Sequence, residues 1–117
     1  MSAMRARRLV AAAALACTGV PAAAAQDVKI GLVAALSGES ALSGEAITRV
    51  LTIAIDEVNA KGGVLGGRKL VLVRRDDESN PGKGQLAARE LIEREKVAVV
   101  FGGIDTPVSM ALIGVMH

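Results

Sequence analysis

Short apolar runs rich in β-branched side chains divide the chain at regular intervals. Runs at 28–34, 69–73 and 97–101 predict three β-strands. The third run is apolar at every position, and this pattern is typical of a strand buried on both faces of a parallel sheet. We therefore expect the segment 97–101 to lie in the interior of the fold.

The segment between the first two strands has the period of an amphipathic helix. Residues 44–60 place one stripe of apolar side chains on a helix surface, and these are Ile47, Val50, Leu51, Ala54, Ile55 and Val58. Lys61, Gly62 and Gly63 follow, a cation and then the glycines that commonly end a helix. The pattern predicts one long helix that packs against the sheet.

A second helix is predicted between the second and third strands. It begins at Asn80 and Pro81, because asparagine is a good N-cap and proline is favoured in the first turn, and it extends to about Lys96. Its inward side chains are expected to be Ala87, Ala88, Leu91 and Ile92. Glu90 and Arg94 have the i, i+4 spacing of an ion pair on the solvent face.

The order β-α-β-α-β-α predicts an α/β fold, a parallel sheet with flanking helices and right-handed crossovers. A central first strand gives the strand order 2-1-3. Pro107 opens a last helix, 108–116, that is apolar nearly all round, and a three-stranded sheet leaves both edges open. We therefore expect residues 26–117 to be the incomplete N-terminal part of one lobe of a longer protein.

The first 25 residues have the organisation of a secretory signal peptide. Three arginines precede an apolar run over 9–20, and a small-residue tail ends at Ala25. We expect cleavage after Ala25, which leaves Gln26 at the N-terminus of an exported, periplasmic protein. A lipoprotein anchored through Cys17 is the less favoured alternative, because the residues before Cys17 match a lipidation motif poorly.

Removing this segment changes what the charge implies. The whole chain of 117 residues has a formal charge of +2, but loss of the three arginines leaves 11 basic against 12 acidic residues. The processed chain is therefore slightly acidic, and nucleic-acid binding has no compositional support. The one cysteine is also lost with the signal peptide, so no disulfide is predicted.

The sequence matches no motif for catalysis, phosphate binding or metal binding. The glycine-rich segment 62–67 precedes a strand and lacks both the dinucleotide and the Walker A spacing. Asp76, Glu78 and Asn80 begin like a calcium loop, but proline and alanine stand where that loop needs glycine and glutamate. We interpret these residues as loop caps in a solvated cluster. The single His117 provides neither a catalytic triad nor a metal site, so no catalytic residue, metal or cofactor is predicted.

Topology instead predicts a binding site. In open α/β sheets, ligands bind beyond the carboxyl ends of the strands where the strand order reverses, which here lies between strands one and three. The loops 36–43 and 102–106 meet there, and both lead into helices with free backbone N–H groups. Candidate residues in the first loop are Ser37, Gly38 and Ser43. Thr106, just before Pro107, is either a hydroxyl donor to the ligand or an N-cap, and the two roles are compatible.

Six segments together resemble a known family. They are VKIG at 28–31, LSG at 36–38, DEVNAKGGV at 56–64, GRKL at 67–70, DD and NP at 76–77 and 80–81, and GGIDTP at 102–107. The chain resembles the branched-chain amino-acid type of periplasmic substrate-binding protein of ABC transporters. The resemblance covers essentially the whole chain after residue 25, and members of the family are several times longer.

The resemblance implies a two-lobed, hinged protein that closes on a small solute and delivers it to a membrane permease. It implies that Asp105 and Thr106 lie in the loop that contacts the ligand carboxylate. Residues 41–43 lack the aromatic side chain that the family often places there. We therefore expect capture of an amino-acid-like or carboxylate solute without catalysis. Two alternatives are a ligand-sensing domain of the same fold and, less favoured, part of an exported α/β hydrolase.

Overall fold

The computed structural model describes residues 26–116, which form a parallel sheet with helices on both faces. The elements in chain order are β1 Val28–Ala34, α1 Ala41–Ala60, β2 Leu70–Asp76, α2 Pro81–Glu93, β3 Val99–Gly102 and α3 Thr106–Ile113. The predicted signal peptide, including Cys17, and His117 lie outside the described residues. Among residues 26–116, no helix is both long and apolar enough to cross a membrane.

The sheet confirms the predicted topology. The strand order is β2-β1-β3 and both pairings are parallel. Val28 is opposite Leu70 in β2, and Ile30 is opposite Val99 in β3. Because β1 lies in the centre, the loops that follow β1 and β3 leave the same edge of the sheet side by side.

The best-buried part of the core lies between the sheet and the pair α2 and α3. Leu91 of α2 and Val108 of α3 are fully buried and pack with Val33 of β1. Gly31 leaves room for Leu91, because a Cβ at that position would lie 3.1 Å from Leu91 Cδ1. Alternate β1 residues point to the opposite face, where Ile30 adjoins α1.

The opposite face is only partly covered, which corrects two predictions. Phe101 and Val99 of β3 are 46% and 42% exposed, so β3 is not buried on both faces. Within the predicted stripe of α1, Ile55 is buried but Val50 is 66% exposed. The physical reason is that α1 packs mainly against β2, which lies on the other side of β1 from β3. The apolar surface of β3 and the adjoining side of α1 therefore remain open in the described part of the chain.

Several predicted boundaries shift by a few residues. The first helix begins at Ala41, three residues before the predicted Gly44, and β2 extends to Asp76 because its last residues still pair with β1. The second helix ends at Glu93 rather than Lys96, and Ile92 is 37% exposed rather than inward. The third helix spans residues 106–113 instead of 108–116.

The predicted cap of α2 is confirmed, whereas the predicted ion pair is replaced. Asn80 Oδ1 accepts a hydrogen bond of 2.9 Å from the backbone N–H of Lys83, with Pro81 in the first turn. Glu90 binds Arg75 of β2 at 2.9 Å, not the predicted Arg94. The i, i+4 spacing within a helix cannot reveal that Arg75, on a neighbouring strand, competes with Arg94 for Glu90.

Candidate functional site

The carboxyl edge of the sheet brings together the loops that follow β1 and β3. Ser40, the last residue before α1, donates its hydroxyl hydrogen bond to Asp105 Oδ1 at 2.8 Å. Asp105 is the last residue before α3. The two loops predicted from topology to form a site are therefore in direct contact. Ser40 and Asp105 are 65 residues apart in the sequence, and the parallel pairing of β1 with β3 brings them together.

Asp76 fixes the first part of the β1–α1 loop from the neighbouring strand. Its Oδ1 accepts from the backbone N–H groups of Leu36 and Glu78, both at 2.9 Å, and its Oδ2 accepts from Ser37 Oγ at 2.6 Å. Partial burial, the strongest influence, acts to raise the pKa of this carboxyl, but the hydrogen bonds together hold the pKa below 3.8. Asp76 is thus a loop cap, as predicted, although it is half-buried rather than solvated.

The start of α3 differs from the expectation that Thr106 is its N-cap. The helix begins at Thr106 itself, and Asp105 occupies the N-cap position without a capping hydrogen bond from its side chain. The Asp105 carboxylate is instead directed to Ser40. Thr106 is exposed and lies in the first turn of α3, next to Asp105.

The remaining predicted residues lie at the same end of the fold in different settings. Gly38 is exposed and has a φ of 82°, a conformation that favours glycine, and its carbonyl accepts from the N–H of Ala41. Ser43 is exposed but belongs to the first turn of α1 rather than to the preceding loop. The hydroxyl of Ser37 is engaged by Asp76.

A close approach at Gly44 fixes how α1 leaves this edge. A Cβ on Gly44 would lie 1.9 Å from the carbonyl oxygen of Ala35, so only glycine permits this crossing of the helix over the end of β1. The sequence pattern treated Gly44 as the first residue of the helix. The structure shows that it is instead a contact point in the first turn, buried against the chain that leads from β1.

Sequence reasoning missed a buried polar group beside the site. Asp77 is 1% exposed, and its Oδ1 accepts from the backbone N–H of Ser79 at 2.8 Å. Burial, the largest influence, raises the pKa of Asp77 above 3.8, and the nearby charges of Asp105 and Asp76 act in the same direction. The preceding apolar strand gave no signal that the second of two consecutive aspartates would face inward.

Replacing Asp77 with asparagine is expected to increase stability at neutral pH. A folded-state pKa above the unfolded value means that ionised Asp77 opposes folding, and this cost disappears as the pH falls through the folded pKa. Urea unfolding of Asp77→Asn and wild type across pH should therefore show a gain at pH 7 that vanishes towards pH 3.8. Glu78→Gln, at an exposed neighbour, is the control. A loss of stability at pH 7 in Asp77→Asn would contradict the assignment.

A small apolar recess opens at the same edge. Its volume is about 170 Å³, and its lining residues are Leu32, Val33, Ala34, Ile47, Phe101, Gly102, Gly103 and Ile104. The recess lies between the ends of β1 and β3 and therefore adjoins the loop that carries Asp105 and Thr106. Hydroxyl and backbone groups beside an apolar wall suit a small amphiphilic ligand.

The described residues offer little for metal chemistry. Within residues 26–116, no group of three or more histidine, cysteine, aspartate or glutamate side chains is arranged to hold a metal ion. The acidic side chains at this edge serve the loops instead, since Asp76 and Asp105 both accept hydrogen bonds from serine hydroxyls.

Comparison with known proteins gives consistent matches. Residues 27–117 match the family described as periplasmic binding protein. The Leu/Ile/Val-binding protein homolog 7 of Brucella abortus (strain 2308) is 42% identical over 101 residues, which cover 86% of this chain and 25% of that protein.

Two solved structures are similar in fold as well as sequence. The branched-chain amino acid substrate-binding protein LivJ of Streptococcus pneumoniae, in complex with isoleucine, has a TM-score of 0.70 and 28% identity, covering 75% of this chain and 25% of that one. A solute-binding protein of an ABC transporter from R. palustris, in complex with benzoate, has a TM-score of 0.65 and 40% identity, covering 76% and 24%. The chain thus spans about a quarter of the length of these relatives.

Proposed function

Because the chain belongs to the periplasmic binding protein family, we propose that it is part of the solute-binding component of an ABC transporter. In this role the protein captures a small amino-acid-like or carboxylate solute and delivers it to a membrane permease. The family consists of binding proteins rather than enzymes, and the proposal involves no catalytic step. Residues 26–117 then contribute one part of a lobe in a two-lobed protein that closes on its ligand.

The observation that carries the proposal is the joined pair of loops at the carboxyl edge. The Ser40–Asp105 hydrogen bond brings the starts of α1 and α3 together, and the apolar recess lies beside them. First-turn N–H groups and the positive ends of the two helices favour an anionic group on the ligand. The recess favours an apolar group on the same molecule.

We assign the predicted site residues two kinds of role. Thr106, Ser43 and the backbone of Gly38 are exposed and are proposed to face the ligand. Ser37 and Asp105 were also predicted site residues, but their side chains hydrogen-bond within this chain, Ser37 to Asp76 at the end of β2 and Asp105 to Ser40 of the β1–α1 loop. Their proposed role is to hold the ligand-facing groups in place.

Two ligand chemistries are supported by the relatives. Names of the similar proteins include leucine, isoleucine and valine binding, and solved relatives hold isoleucine or benzoate. Both ligands combine a carboxylate with an apolar body, which fits the surfaces of this edge. We therefore propose a carboxylate with an aliphatic or aromatic body as the solute class, and isoleucine and benzoate are suitable probes.

The proposal includes export to the periplasm. The signal peptide is proposed to be cleaved after Ala25, with lipidation at Cys17 as the alternative. N-terminal sequencing and intact mass of the protein from the exported fraction distinguish these, because cleavage after Ala25 leaves Gln26 at the N-terminus. An N-terminus at Met1 in that fraction would contradict the proposal.

Removal of the Thr106 hydroxyl is expected to weaken binding of the carboxylate probe by about tenfold or more, because hydrogen bonds to charged groups are stronger than neutral ones. Titration calorimetry of the exported protein with isoleucine and with benzoate measures this directly for wild type and Thr106→Val. The similar volumes of threonine and valine limit changes in packing.

The matched control is Thr52→Val, at an exposed position on α1 whose hydroxyl bonds only within the helix. Its affinity should equal that of wild type. Failure of the wild-type protein to bind either probe or any related carboxylate at millimolar concentration would refute the proposed solute class. Equal affinities of wild type and Thr106→Val would remove Thr106 from the ligand contacts.

A further inference from the structure

We propose that Asp105 is a positioning residue for the proposed ligand site, where its carboxylate joins the β1–α1 loop to the start of α3 and so sets the place of Thr106. The inference rests on the proposed function. It differs from a direct ligand contact, because the carboxylate is directed at other loops of this chain rather than at the open edge.

The geometry of Asp105 supports this role on one side. Its Oδ1 accepts from Ser40 Oγ at 2.8 Å, which ties the residue before α1 to the residue before α3. The backbone of Asp105 is also held, because its carbonyl oxygen accepts from the N–H of Ser109 at 2.9 Å and from Ser109 Oγ at 3.1 Å. The main chain next to Thr106 is thus anchored in the first turn of α3.

The second carboxylate oxygen faces the interior. Asp105 Oδ2 is buried, and so is the hydroxyl of Ser79, which belongs to the loop between β2 and α2. Neither atom makes a hydrogen bond of normal geometry in the described part of the chain. The Ser79 hydroxyl nevertheless lies close enough to be the main influence that lowers the pKa of Asp105 below 3.8, followed by the Ser40 hydroxyl. The carboxylate is therefore the meeting point of three loops.

A second tether completes the arrangement at the other end of the β1–α1 loop. Asp76 holds Leu36 and Ser37, and Asp105 holds Ser40. The segment between these tethers contains Gly38, whose positive φ allows the tight turn. A loop that is fixed at both ends loses little conformational entropy when a ligand binds, so preorganisation increases affinity.

The test uses the exported protein with Asp105→Ala, Asp105→Asn and Ser40→Ala variants. Hydrogen–deuterium exchange of the ligand-free protein reports on the loops 35–41 and 103–107, with the amides of β1 as an internal reference. Calorimetry with isoleucine and benzoate reports affinity. The control is Asp56→Ala, which removes an exposed carboxylate on α1 away from the loops.

We expect Asp105→Ala to accelerate exchange in both loops by about tenfold, with little change in β1, and to weaken probe binding by a similar factor. Asp105→Asn retains an acceptor oxygen and should restore much of both properties. Ser40→Ala should loosen the same loops, and the Ser40→Ala/Asp105→Ala double variant should loosen residues 35–41 no more than Asp105→Ala alone. Asp56→Ala should match wild type in both measurements.

Unchanged loop exchange in Asp105→Ala overturns the proposal, whether or not a probe binds. Weaker binding with unchanged loop exchange also overturns it, because Asp105 would then act by touching the ligand. Faster loop exchange in a protein whose wild type binds neither probe supports the tether and counts against the proposed function instead. The two ideas can therefore fail separately.

Discussion

Replacing Gly44 with alanine is expected to destabilise the protein by about 3 kcal/mol, the upper end of the usual cost of overpacking, because the new methyl group would collide with main-chain atoms. The added Cβ would lie 1.9 Å from the carbonyl oxygen of Ala35 and 2.8 Å from its carbonyl carbon. A side chain could rotate away, but a main-chain carbonyl at the end of a central strand cannot. The start of α1 must therefore move by more than about 1 Å, since protein interiors hold little free space.

The same displacement is expected to affect the proposed ligand site. Gly44 lies four residues after Ser40, whose carbonyl oxygen accepts from the Gly44 N–H at 3.0 Å. Any shift of this turn moves Ser40 relative to Asp105 and strains their hydrogen bond. We expect Gly44→Ala to weaken probe binding even at temperatures where the variant remains folded. Urea unfolding and calorimetry on the same preparation separate the two effects.

Gly114→Ala provides the matched control for this prediction. Gly114 follows α3 with a φ of −68°, and the nearest atom to a Cβ there is the Ala111 carbonyl oxygen at 3.8 Å. Alanine fits this position without strain, so the substitution should be neutral or stabilising by up to about 1 kcal/mol. A Gly44→Ala variant as stable as Gly114→Ala would show that the helix start can relax, and would contradict the close approach at Ala35.

The sequence predicted the strands and their order because those features depend on local patterns. The run that contains Val28 and Ile30 is long enough to mark a strand, and β-α-β connections leave few possible arrangements. The predicted order 2-1-3 and the resemblance to the branched-chain type of periplasmic binding protein are both confirmed. What failed is the burial of Phe101, because burial depends on which elements cover a strand and not on the strand's own composition.

The site was predictable as a location but not as a set of contacts. Topology identified the two loops, and the Ser40–Asp105 hydrogen bond shows that they meet. A hydroxyl just before a helix is a known signal, so Ser40 could have been considered from its position. The inward direction of Asp77 and the burial of the Ser79 hydroxyl depend on the packing of α2 and α3, for which the sequence contains no local signal.

Truncation of Leu91 to alanine is expected to cost about 2–5 kcal/mol, the range for large-to-small changes at fully buried positions. Leu91 is 0% exposed and packs with Val33 and Val108, so it joins α2 to both the sheet and α3. Native proteins have only about 5–15 kcal/mol of net stability. We therefore expect a large decrease in the urea concentration at the midpoint of unfolding.

Leu86→Ala on the same helix removes the same atoms from a side chain that is 70% exposed, and should change stability by no more than about 0.5 kcal/mol. Comparison of the two variants isolates burial, because helix, residue type and substitution are identical. Similar losses in both would mean that an additional surface covers Leu86 in the folded protein. A small loss in Leu91→Ala would contradict this prediction, because it would mean that the core between β1 and α3 collapses to fill the cavity. Such a collapse is not expected, since the neighbouring residues Gly31 and Ala88 are too small to fill the space.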